Sequence, residues 1–209
     1  MITLCALGAL LIAEHLTSLP GKWLSKPLAS AGFVATALFA GALESPYGQW
    51  ILAGLALSML GDVLLIGRSR KAFMAGLVAF LLGHVAYVVA FLVLGVKPLA
   101  AIIAMIMLTA FCLWLARRYL PAIDAGMRRP VIAYAAVISL MLALAVGVVA
   151  DAGPWVILAG AALFYVSDLS VARDRLIQAG FINRAWGLPT YYIGQLLLAA
   201  SVSWAALPA

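Results

Sequence analysis

Charge is what this chain has least of. Asp, Glu, Lys and Arg together make up 10% of its 209 residues, and there are two histidines. A soluble domain carries about a quarter charged residues and is close to half apolar. Here 67% is hydrophobic and the mean hydropathy is +1.17. So apolar a surface aggregates in water and must face lipid. Cysteine is equally scarce. Cys5 and Cys112 both sit inside apolar runs and read as small hydrophobes, not as a disulfide or redox pair. There is no Gly-x-Ser-x-Gly elbow and no His-Glu-x-x-His helix, which excludes serine lipase and zinc protease readings. There is no zinc-ligand spacing and no interleaving of aromatic with basic residues. The net charge of +6 therefore reads as loop charge, with nucleic acid excluded as a partner.

What is present is a series of long apolar runs: Ile2–Leu16, Leu24–Leu43, Trp50–Ile66, Ala72–Leu94, Leu99–Ala116, Pro130–Ala150, Trp155–Ala172 and Trp186–Leu207. A membrane helix needs roughly 20 such residues. The expected fold is all-α, an integral membrane bundle of eight transmembrane helices forming one domain over residues 1–209. Met1–Ala13 has signal-peptide length, but Glu14 and His15 follow it where a small-residue cleavage site belongs. It is expected to be retained as the first helix.

Charge placement tests this count independently. Twelve of the thirteen Lys and Arg fall in alternate connections, and Lys97 alone falls in the others. Short loops rich in Lys and Arg stay in the cytoplasm. The expectation is a multi-pass protein of the plasma (inner) membrane with both termini on the non-cytoplasmic side. A weak internal echo adds a parallel duplication of two four-helix halves. Ser58-x-x-x-Asp62 precedes basic residues and a helix carrying His84 and Tyr87. Tyr165-Val-Ser-Asp168 precedes basic residues and a helix carrying Tyr191, Tyr192 and Gln195.

Ionisable groups inside spans are costly, and are functional candidates for that reason. Asp62 and Asp168 lie near the cytoplasmic ends of the third and seventh runs, and Glu14 closes the first. Lys26 opens the second, where Pro27 reads as a first-turn residue. His84 lies roughly 18 Å into the fourth run at 1.5 Å per residue, close to the midplane. These groups share the cytoplasmic half, which implies a pocket open to one leaflet. Each has a structural alternative. The aspartates can snorkel or pair loop arginines, Glu14 can pair Lys26, and His84 can bond Tyr87. Ser58 shares a helix face with Asp62. The tyrosines and Gln195 can serve as interhelical hydrogen bonds. Trp23, Trp50, Trp155, Trp186 and Trp204 read as interfacial anchors. Gly54, Gly76, Gly83, Gly160 and Ala161 read as close-packing positions.

Burial disfavours a charged carboxylate, and two neighbouring carboxylates resist ionising together. One then holds a proton to donate while the other stays ionised and activates water. That is the chemistry of hydrolysing an acid-labile bond. A metal site built from Asp62, Asp168, His84 and Glu14 has no supporting ligand spacing, so neither metal nor cofactor is expected.

Six blocks in order carry a family resemblance. They are Lys26-Pro27-Leu28; Ser58-x-x-Gly61-Asp62; Phe73-x-x-Gly76-Leu77-x-x-Phe80-x-x-Gly83-His84-x-x-Tyr87; Tyr134 with Met141; Gly160-Ala161-x-Leu163-Phe164-x-x-Ser167-Asp168; and Tyr191-Tyr192-x-x-Gln195. In these the chain resembles the YhhN family of membrane proteins, whose characterised animal members are lysoplasmalogenases. After Asp168 the chain reads Leu-Ser-Val-Ala, looser than the family pattern. The resemblance implies hydrolysis of the vinyl ether bond of a lysoplasmalogen to a fatty aldehyde and a glycerophospho-base. The partners are then a lysophospholipid substrate and membrane lipid. It also implies Asp62 and Asp168 as acid and base in either order. Lys26, Ser58, His84, Tyr87, Tyr191, Tyr192, Gln195 and Glu14 would surround the substrate, with Lys26 or His84 holding phosphate or orienting water. The competing classes are a small-solute or lipid transporter and a non-enzymatic membrane protein.

Overall fold

The computed structural model describes residues 1–67 and 69–205; Arg68 and the Leu207 end of the eighth apolar run lie outside the described residues. Among the described residues eight α-helices follow one another: α1 Ile2–His15, α2 Leu19–Phe39, α3 Pro46–Leu64, α4 Arg70–Leu94, α5 Pro98–Tyr119, α6 Ala125–Ala150, α7 Trp155–Leu176 and α8 Phe181–Ala205. A single 3₁₀ turn, Leu120–Ala122, joins α5 to α6, and there is no strand among the described residues. Past their first turn, helices satisfy their backbone donors internally, as a hydrocarbon environment requires. Five of them, α3 to α7, are long and apolar enough to cross a bilayer. The chain is thus a multi-pass α-helical membrane bundle.

Local chemistry sets the helix starts. Ser18, Ser45 and Ser69 each accept from the backbone N–H three residues on, at 3.2, 3.0 and 3.1 Å. Such N-caps satisfy one of the donors left over at a helix start. Pro46 and Pro98 occupy first-turn positions, where a missing N–H costs nothing.

Several boundaries differ from the sequence expectation. The first connection shrinks to Leu16–Ser18, because Ser18 caps α2 well before the apolar run begins. Pro27 is consequently an interior residue of α2 and not a first-turn one. The seventh connection shrinks to Ile177–Gly180, with Arg173 and Arg175 in the last turn of α7 and Arg184 in the first turns of α8. Helical backbone continues past the apolar stretch, and long basic side chains reach back toward water from it.

α3 packs most extensively on α4, and α7 on α8. A Cβ on Gly54 would lie 2.4 Å from the Tyr87 ring, and one on Gly160 would lie 3.0 Å from the Gly194 carbonyl. These two contacts need the missing side chain, in keeping with small residues at membrane helix interfaces. Of the five tryptophans read as anchors, Trp23, Trp50, Trp155 and Trp204 are exposed. Trp186 instead is half-buried and lines an internal cavity.

Candidate active site

That cavity measures about 1260 Å³ and is walled by parts of all eight helices, α1 contributing its last turn. Drug-sized ligands occupy about 300–1,000 Å³, so a long molecule fits. Asp62 from α3 and Asp168 from α7 both line it.

Asp62 is nearly fully buried and surrounded by donors. Its Oδ2 accepts from Ser30 Oγ at 2.6 Å and from Tyr191 Oη at 2.7 Å, and its Oδ1 lies 3.2 Å from Lys26 Nζ. Ser30 was not singled out from the sequence, although it sits one turn after Lys26 and so shares its face. Ser30 Oγ, whose single hydrogen goes to Asp62, also lies 3.0 Å from the Lys26 carbonyl one turn back. Tyr192 stands behind this cluster, 3.5 Å from Ser30 Oγ and 3.4 Å from the Lys26 carbonyl.

Asp168 is more open, with its side chain 15% exposed. Its Oδ2 accepts from Tyr134 Oη of α6 at 2.8 Å. The same oxygen lies 3.4 Å from His84 Nε2, a contact within ion-pair reach but not aligned as a hydrogen bond. His84 is fully buried, and its Nδ1 is 2.7 Å from the Phe80 carbonyl. A carbonyl only accepts, so Nδ1 carries hydrogen and donates. His84 thus bonds one turn back along α4 and not to Tyr87, the structural alternative read from the sequence. Tyr134 belongs to the family blocks, yet its place beside Asp168 is not legible in the sequence. A tyrosine in an apolar run has no charge to mark it.

The two carboxylate clusters meet through aromatic rings. Tyr191 packs edge-on against Phe164 at 5.4 Å between centroids, and Phe164 lies 4.4 Å from the His84 ring. Five of the proposed contacts, Ser58, His84, Tyr87, Tyr192 and Gln195, lie apart from the cavity wall. Tyr87 donates to Gln195 Oε1 at 2.7 Å deep in the bundle, and Ser58 is buried near them against Gly83.

A charged rim closes the end where α1, α2, α7 and α8 meet. Glu14 lies 2.7 Å from Lys22 Nζ and pairs with Arg184, which also bonds Asp174 at 3.2 Å. Glu14 therefore does not pair with Lys26, which is taken by Asp62. Arg184 becomes its partner because α8 starts earlier than the apolar run suggested. Asn183, fully buried, joins Asp174 to Arg173.

The chain matches the YhhN family over residues 21–202. It belongs to that family. As a YhhN protein it is 33% identical to the lysoplasmalogenase TMEM86A of Bos taurus over 165 residues, which cover 76% of this chain and 67% of the bovine one. The Homo sapiens lysoplasmalogenase TMEM86A matches with the same identity and coverage. No solved structure matches the chain. The YhhN match takes in both carboxylate clusters and most of the charged rim, leaving Glu14 outside it.

Proposed function

We propose that this YhhN protein is a lysoplasmalogenase-like hydrolase that cleaves the vinyl ether bond of a lysophospholipid inside the membrane. The observation that carries this reading is that Asp62 and Asp168, from different helices, line one cavity with a charged rim and apolar walls. Kinship at 33% identity to lysoplasmalogenases supports the reaction class. The same reading includes eight membrane crossings with both termini on the non-cytoplasmic side, so that the rim faces the cytoplasm.

His84 and Asp168 act as one proton-holding pair. Nδ1–H is committed to the Phe80 carbonyl, so Nε2 keeps its lone pair 3.4 Å from Oδ2 and supports the carboxyl that holds the proton. Asp168 passes that proton to the outer carbon of the vinyl ether, and the ether oxygen's lone pair forms an oxocarbenium ion. Water adds to the cationic carbon and gives its proton to Asp62, whose orientation Lys26, Ser30 and Tyr191 hold. The hemiacetal then breaks its bond to the glycerol oxygen, which takes a proton as the hemiacetal hydroxyl loses one. The products are a fatty aldehyde and a glycerophospho-base. Lys22 and Arg184 at the rim meet the phosphate, as guanidinium and ammonium groups do.

The test is aldehyde release by the purified protein in lipid nanodiscs supplied with a 1-alkenyl lysolipid. Turnover is expected with the alkenyl lipid and none with the 1-alkyl analogue, which lacks the protonatable double bond. A protein inert toward alkenyl lysolipids of every head group sinks the proposal.

A further inference from the structure

α5 is unlike the other long helices. Ala101 is its one buried residue, and it packs chiefly on α6. Yet Met105, Thr109, Cys112, Ala116 and Tyr119 all line the cavity. Their spacing of four and three puts them on one helical face. This stripe follows the cavity for roughly 21 Å at 1.5 Å per residue.

The arm beyond the carboxylates is apolar. Three polar atoms at its waist satisfy one another: Cys112 Sγ lies 3.4 Å from Ser139 Oγ and 3.3 Å from Tyr165 Oη. Cys112 is thereby level with Tyr165, three positions from Asp168 toward the start of α7. From the level of Asp168 to Met105 the two helices together give about 15 Å at 1.5 Å rise. That is half of the roughly 30 Å hydrocarbon core, the depth one lipid chain fills. Met105 and Thr109 also line a depression on the outer surface with Ile102 and Ile106, so they form the thin wall at the arm's far end.

We infer that the arm along α5 holds the hydrocarbon chain of the substrate, and that Met105 and Thr109 set the longest chain accepted. This rests on the lysolipid reading above and adds a specificity determinant to it. In a vinyl ether lysolipid the whole chain lies on one side of the reacting bond. A bond at Asp168 therefore sends its chain into this arm and its phosphate to the rim.

The experiment measures kcat/KM for a graded series of alkenyl lysolipids, from short to membrane-length chains, in nanodiscs. Wild type is compared with Thr109→Trp, Met105→Ala and a control, Ile103→Trp. Ile103 is exposed and lies outside the cavity wall. Thr109→Trp is expected to cut the ratio of long-chain to short-chain kcat/KM at least about tenfold, the discrimination an apolar pocket makes over a methylene it cannot accommodate. Met105→Ala is expected to move the preference to longer chains, and Ile103→Trp to leave the ratio as in wild type. An unchanged ratio in both Thr109→Trp and Met105→Ala overturns the inference. Binding of non-hydrolysable alkyl-ether lysolipids is measured in parallel. A length shift in binding without any turnover upholds the channel and overturns the hydrolase reading; neither binding nor turnover overturns both.

Discussion

His84 Nε2 lies 3.4 Å from Asp168 Oδ2, while the other nitrogen of the same ring is spent on the Phe80 carbonyl. The imidazole is therefore fixed in tautomer and in direction, and under the proposed mechanism it supports the Asp168 carboxyl that gives its proton to substrate. His84→Gln keeps a donor for Phe80 but cannot hold that proton. A loss of about 10²–10⁴-fold in kcat is expected. Aldehyde release by both proteins, with Tm read in parallel, checks it.

Asp62→Asn and Asp168→Asn are each expected to abolish aldehyde release, again by about 10²–10⁴-fold. The double mutant should lose little more than either single one, because groups acting as a unit are not additive. Near-normal turnover in either variant removes that aspartate from the chemistry. At Asp168 a transporter or a structural protein would tolerate Asn, which still fills the space and accepts hydrogen bonds.

The two variants should differ in stability. Asp62 carries a close ion pair to a Lys26 whose side chain is only 12% exposed. Removing one partner of such a pair leaves a charge buried alone, at a cost of about 3–5 kcal/mol. Asp62→Asn is thus expected to lower the Tm more than Asp168→Asn. Adding Lys26→Met to Asp62→Asn should recover much of the Tm but none of the activity. Thermal unfolding in nanodiscs, read beside turnover, separates the two effects.

Tyr134→Phe removes one hydrogen bond to Asp168 and nothing else in that contact. The expected stability change is about 1 kcal/mol. Turnover should fall while lysolipid binding is retained. Equal loss of binding would make Tyr134 a wall residue and not a partner of the acid.

The topology is checked by reporters. A C-terminal fusion to a reporter active outside the cytoplasm is expected to work, and one that needs the cytoplasm is expected to stay silent. The reverse pattern refutes the orientation.

The sequence made some of this legible and hid the rest, for physical reasons. Asp62, Asp168, Lys26 and His84 stand out because a charge in an apolar run is expensive unless something holds it. The structure sets Lys26 beside Asp62 and His84 beside Asp168. Ser30 and Tyr134 complete those clusters but are neutral, so hydropathy passes over them. Helix ends at Leu19, Leu176 and Phe181 depart from the apolar runs because apolarity marks the hydrocarbon boundary, while caps and turns mark the end of the helix. Glu14 found Arg184 and not Lys26 because that shift of α8 brings a cation within reach.

α5 presents one stripe to the cavity and leaves most of its remaining surface facing outward. Surrounding lipid therefore presses on the outer side of the very wall that the substrate chain would touch from within. The host bilayer becomes part of the binding chamber. Thicker or thinner membranes alter the tilt of such a lightly held helix at small energetic cost. Chain preference should then follow the bilayer in which the protein is assayed, and a detergent micelle, with no fixed thickness, should blunt it.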